Sequence, residues 1–190
     1  MNAKGLLVFF LSFLLLAGCA PAAAPTMAAP TGAAPTGAAD ASAAVSFDDP
    51  FAYCAAVGTV DAPDARYSGP EKPEQVLTGL MKASGASADA PLEMFRQGSF
   101  WRCMNSQVYA CFVGANLPCQ SKANTSTTPT AEMNEFCKAN PNTEFLPAYL
   151  TGHDTVYAWT CQGEQAATSK QIFTVDGQGF IKEIWYMIVK

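Results

Sequence analysis

The chain has 190 residues, 49% of them hydrophobic, with 11 basic and 16 acidic side chains and a formal charge of −5. A mildly acidic chain argues against nucleic acid as a partner, since binders of that class set basic patches against phosphate. Seven cysteines with no C-x-x-C spacing and a single histidine argue against zinc, and no G-x-S-x-G, H-E-x-x-H, Walker or G-x-G-x-x-G pattern occurs, so no cofactor is expected.

Met1 to Lys4 is short and basic, and Leu6 to Ala17 is Leu, Phe and Val broken only by Ser12 before Ala17. A charged segment followed by an apolar one is the pattern of a secretory signal. The apolar run from Gly5 to Cys19 falls short of the roughly 20 residues that a spanning helix needs, and it leads into Ala, Pro and Thr with no basic flank.

Leu16-Ala17-Gly18-Cys19 closes that run. Aliphatic, small, small, Cys after an apolar segment resembles the lipobox of bacterial lipoproteins. The resemblance implies that residues 1–18 are a signal peptide, that Cys19 becomes the first residue and is lipidated, and that the chain is held to a membrane by that lipid. Ala20 follows where enteric-type lipoproteins carry Asp for inner-membrane retention, which implies the outer membrane if the cell is diderm. Removing residues 1–18 takes away Lys4 and leaves every acidic residue, so the mature chain is slightly more acidic and has no reason to be drawn to anionic lipid.

With Cys19 assigned to lipid, Cys54, Cys103, Cys111, Cys119, Cys137 and Cys161 remain. An even number in an exported chain reads as three disulfides, whose pairing the sequence leaves open.

Residues 23–37 are AAPTM-AAPTG-AAPTG, three pentapeptides in tandem. This composition has nothing to bury, and regular proline favours extended chain. Residues 19–45 therefore read as the lipidated cysteine and a semi-rigid tether, reaching on the order of 80 Å at about 3.1 Å per residue.

Residues 46–190 hold all three Trp and all six Tyr, and their number suits one domain with a core of its own. Phe51 to Val57 is a short apolar segment, strand or first helical turn. Pro73 to Ser84 reads as a helix, with Pro73 at its start, Glu74 in its first turn and Val76, Leu77, Leu80 and Met81 on one face. Ser87 to Gly98 reads as mostly irregular. Ser99–Met104 and Gln107–Val113 form a hairpin about Asn105-Ser106, its second strand apolar on both faces and therefore buried. Ala131 to Ala139 is a second helix capped by Thr130. The C-terminus reads as a three-stranded meander over 154–161, 170–175 and 179–189, turning at Asp176–Gly179. The fold class expected is α+β: an antiparallel sheet with two short helices and about three disulfides.

Trp101-Arg102-Cys103 and Trp159-Thr160-Cys161 share W-x-C, each followed by a turn-like tetrad, Met104–Gln107 and Gln162–Gln165. Residues two apart on a strand face the same side, so each indole is expected to lie against a disulfide in the core; an exposed platform made by both Trp is the other reading. Trp101, Arg102, Trp159 and Arg66 are the candidate ligand-binding residues, since Arg can hold an anion bidentately. His153 and Asp154 are the candidate catalytic pair.

These features point to a membrane-anchored cell-envelope lipoprotein that displays a small non-enzymatic binding or structural domain, its partner an envelope protein or glycan. One alternative is an envelope hydrolase using His153 with a carboxylate. Another is a lysozyme inhibitor: Tyr157 to Cys161 is similar to that family's Y-x-C strand, although it reads Y-x-W-x-C, and the family's S-G-x-x-Y loop has only a scrambled counterpart in Ala65-Arg66-Tyr67-Ser68-Gly69.

Overall fold

The computed structural model describes residues 45–190. The signal segment, Cys19 and the pentapeptide repeat lie outside the described residues. Among these residues five α-helices and five strands follow in order: α1 (Pro50–Val57), α2 (Glu74–Ala83), α3 (Leu92–Gly98), β1 (Ser99–Met104), β2 (Gln107–Phe112), α4 (Ala131–Ala139), α5 (Ala148–Thr151), β3 (Tyr157–Gln162), β4 (Gln165–Gln171) and β5 (Tyr186–Ile188). The class is α+β, with one antiparallel sheet ordered β1-β2-β5 and a second made of β3 and β4. No helix among the described residues is long and apolar enough to cross a membrane.

The six cysteines form three disulfides, Cys54–Cys103, Cys111–Cys119 and Cys137–Cys161. Each belongs to a different hydrophobic cluster. The first cluster packs Tyr53 of α1, Val76, Leu77 and Leu80 of α2 and Phe95 of α3 on one face of the three-stranded sheet, where Trp101, Cys103, Val108 and Ala110 point. Residues of the opposite parity, Phe100, Tyr109 and Cys111, face the second cluster with Phe180, Ile181, Ile184 and Trp185. The period of two along β1 and β2 thus divides one core from the next, and β2 is covered on both sides as its apolar pattern requires. The third cluster lies between α4 and the β3–β4 hairpin.

The two expected helices are present. Thr130 Oγ1 accepts the Met133 N–H at 3.3 Å, a cap of the kind its position calls for. Phe51 to Val57 is helical, and Asp49 caps it by accepting from the N–H groups of Phe51 and Ala52 at 2.8 and 2.9 Å. The β1–β2 hairpin turns at Asn105 (φ 52°) and Ser106 (φ 62°), the left-handed pair that a two-residue type I′ turn needs.

Two stretches depart from the sequence reading. Leu92–Gly98 is a helix, α3, begun by Pro91 and carrying Phe95 into the core. The C-terminal meander is instead a tight β3–β4 hairpin followed by a long excursion. Gly163, at φ 62°, supplies the turn one residue into the Gln162–Gln165 tetrad, so β4 begins at Gln165. The Asp176–Gly179 turn sits inside a single isolated bridge, Val175 with Ile181, and the last strand has three residues and pairs with β2 rather than β4.

Candidate functional site

Two hollows border the residues singled out by sequence. The first is an apolar groove of about 200 Å³ beside β3. Its walls are Phe145 and Leu146, Tyr157 and Trp159 of β3, and Ile172 and Phe173 beyond β4. Pro147 starts α5 along one side, and Gly152, at φ 80°, ends it. Leu146 is held against β3 by its N–H, which donates to the Trp159 carbonyl at 3.0 Å. Two apolar side chains of the lining are open to solvent, Phe145 at 66% and Ile172 at 42% exposed, and Tyr149 of the adjoining α5, outside the lining, is 77% exposed.

The groove offers few polar groups. The Trp159 indole N–H donates to Thr155 Oγ1 at 3.2 Å, and the Tyr157 N–H donates to the same oxygen. Thr151 Oγ1 donates to the Gly152 carbonyl. His153 stands at the rim, exposed. Asp154 does not line the groove; its carboxylate occupies the space where a side chain at Gly152 would go, and its carbonyl accepts the Asn124 N–H at 2.7 Å. No hydrogen bond joins His153 to Asp154 among the described residues, and none of the described residues lining the groove is a carboxylate.

The second hollow crosses β1 in two parts, about 400 Å³ beside Asp64 and Lys72 and about 270 Å³ beside Asp61 and Lys122, with Phe100 and Trp101 common to both. Trp101 is only 5% exposed. Its indole N–H donates to the Glu71 carbonyl at 2.9 Å, and its ring meets Tyr53 and Tyr67 edge-on. Trp101 and Trp159 belong to different clusters, so both indoles are core and they do not form one platform.

Arg102 is fully buried. Its guanidinium pairs with Asp176 and donates to Gln178 Oε1 at 3.0 Å. The rings of Phe180 and Trp185 flank it at 4.3 and 4.2 Å. Gln178 Nε2 in turn donates to Asp61 Oδ1 at 2.8 Å, and Lys122 Nζ donates to Asp61 Oδ2 at 2.5 Å. Arg102 therefore ties β1 to the 176–179 turn and is not presented to a ligand. Burial alone would push the Asp176 carboxyl up, but the Arg102 guanidinium and the N–H groups of Phe180 and Gln178 outweigh it and hold it below the usual carboxylate value. Arg66 is half exposed and clasps Asp64, Nε to Oδ1 at 3.0 Å; that hydrogen bond holds the Asp64 carboxyl well below its ordinary range. Arg66 thus meets the second hollow only through Asp64.

The two segments similar to lysozyme inhibitors do not share a cluster: Tyr67 packs on the first core, and Tyr157 between the second and third. No group of three or more His, Cys, Asp or Glu converges as a metal site among the described residues. Phe145, Tyr149, Ile172 and Phe173 were not singled out by sequence. The signal was there in Phe145-Leu146-Pro147-Ala148-Tyr149-Leu150, an apolar run too short for a core helix and broken by proline.

Comparison with protein-family models, with curated proteins and with solved structures finds no match to this chain.

Proposed function

We propose that this chain is a lipid-anchored cell-envelope lipoprotein whose disulfide-bonded domain serves as a non-enzymatic binding module at the end of a tether. The observation that carries the proposal is the cysteine pairing. All six cysteines of residues 45–190 are closed into disulfides, which leaves Cys19, at the end of the lipobox-like run, as the one cysteine available for another chemistry. Three disulfides also suit an oxidising compartment outside the cytoplasm. The exposed aromatic groove supplies a binding surface. The hydrolase alternative has less support, because the wall beside His153 brings it no carboxylate.

The test is lipid labelling of the full chain in a bacterial host. The parent chain should incorporate labelled palmitate, whereas Cys19→Ser should incorporate none. A Cys19→Ser chain that keeps its label, or a parent chain that takes none, overturns the proposal.

A further inference from the structure

Most polar groups beside the apolar groove are already engaged; the exceptions in its lining are the side chains of Asn116 and His153, both exposed to solvent. The N–H groups of Ile172 and Phe173 both donate to the Val156 carbonyl, that of Leu146 to the Trp159 carbonyl, and that of Cys161 to the Thr143 carbonyl. The outer edge of β3 is thus occupied by residues 143–146 and cannot accept an added strand, which removes the main-chain pairing by which extended peptides gain affinity at a sheet edge. Among the described residues, the buried side-chain polar atoms left without a partner are on Tyr67, Ser99, Arg102 and Trp185, none of which lines this groove. A ligand here is asked for hydrocarbon and for little else.

We infer that the groove takes an acyl chain of bilayer lipid, with Phe145, Tyr149 and Ile172 seated at the membrane surface around it. Beyond the groove's chemistry, this rests on the anchored-lipoprotein reading above. The chain from Cys19 to Val45 reaches at most roughly 90 Å even when fully extended, so a lipid on Cys19 keeps the domain within that distance of a bilayer at all times. Aromatic and aliphatic side chains that stand in water on a tethered domain gain by entering the hydrocarbon boundary. The attraction is apolar rather than electrostatic, because the chain is acidic overall. Zwitterionic lipid is therefore sufficient, and added salt leaves the binding unchanged.

The experiment uses the chain from residue 19 onward carrying Cys19→Ser, which bears no lipid of its own. It is mixed with phosphatidylcholine vesicles, with and without bromine on the acyl chains. It should co-sediment with the vesicles equally in low and high salt, and bromine should quench its tryptophan emission, since Trp159 lines the groove. Replacing Phe145, Tyr149 and Ile172 together by Ser touches side chains that are 42–77% exposed and lie outside the three buried clusters. That variant should keep the near-ultraviolet circular dichroism of the parent and lose vesicle partitioning by roughly tenfold or more. A second variant, Ala158→Phe, fills the groove from its wall without adding an indole and should abolish bromine quenching. Absence of co-sedimentation by the parent, partitioning unaffected by the triple replacement, or capture of an apolar peptide with no affinity for vesicles each overturns the inference. Because the test chain carries no anchor, its result is separate from that of palmitate labelling: unlabelled Cys19 sinks the lipoprotein reading, and failure on vesicles sinks the acyl-chain site.

Discussion

Arg102 of β1 and Asp176 of the 176–179 turn form an ion pair shut away from solvent, their side chains 0% and 4% exposed. The pair sits between the Phe180 and Trp185 rings and fastens the C-terminal excursion to the three-stranded sheet. Removing one partner strands the other as a buried charge. Asp176→Ala is expected to cost about 3–5 kcal/mol in urea unfolding. Replacing both, Arg102→Met with Asp176→Leu, should cost less than either single change, because no charge is then left in the core.

The same pair sets an acid limit on stability. The native Asp176 carboxyl lies below its ordinary value, which is about 3.9 in an unfolded chain. A depressed native value means that the unfolded state binds the proton more readily, so the contribution is fully present above about pH 4 and is lost as pH falls through the native value. Asp49, lowered chiefly by the Ala52 N–H, acts in the same direction, as does Glu183, where bonds from Thr174 outweigh the upward push of burial. Urea midpoints measured from pH 7 down to pH 2 should fall below about pH 4, and Asp176→Asn should flatten that fall.

The disulfides close loops of different size, with sequence separations of 49 for Cys54–Cys103, 24 for Cys137–Cys161 and 8 for Cys111–Cys119. Chain-entropy arguments give stabilisations of roughly 4, 3.5 and 2.5 kcal/mol in that order. Replacing each pair by Ala, one pair at a time, should therefore lower stability in the same order, read from guanidinium midpoints at equal slope.

Helix α2 approaches β5 closely at Gly79, where a Cβ would run into Ile188 Cγ2. Gly79→Ala should destabilise by about 1–3 kcal/mol through overpacking. Gly177 has open space around it and an ordinary φ, so Gly177→Ala serves as the control and should be neutral or slightly stabilising.

Local chemistry was legible in the sequence where it alone decides the structure. The Thr130 cap, the amphipathic face of α2 and the Asn105-Ser106 turn are such cases. In the two W-x-C segments each Trp does share a buried cluster with the disulfide of its own Cys, but that each cysteine pairs with one on a preceding helix, Cys54 on α1 or Cys137 on α4, was left open by the sequence. What was not legible depends on distant partners. The Asp176–Gly179 turn is a good turn by composition, yet its role follows from Arg102, 74 residues away in sequence. The three residues of β5 carry too little pattern to name β2 as their neighbour. The groove is made by α5, β3 and the Ile172–Phe173 segment meeting in space, and Phe145 and Tyr149 look like ordinary core residues until the fold leaves them outside.

What Cys19 becomes decides whether the domain is held at a membrane. The direct measurement is the intact mass of the N-terminal peptide from protein extracted from its native membrane. The expected peptide begins at Cys19 and carries a thioether-linked diacylglyceryl group. A mature chain that begins at another residue, or a Cys19 that bears no lipid, contradicts the lipid-anchor reading.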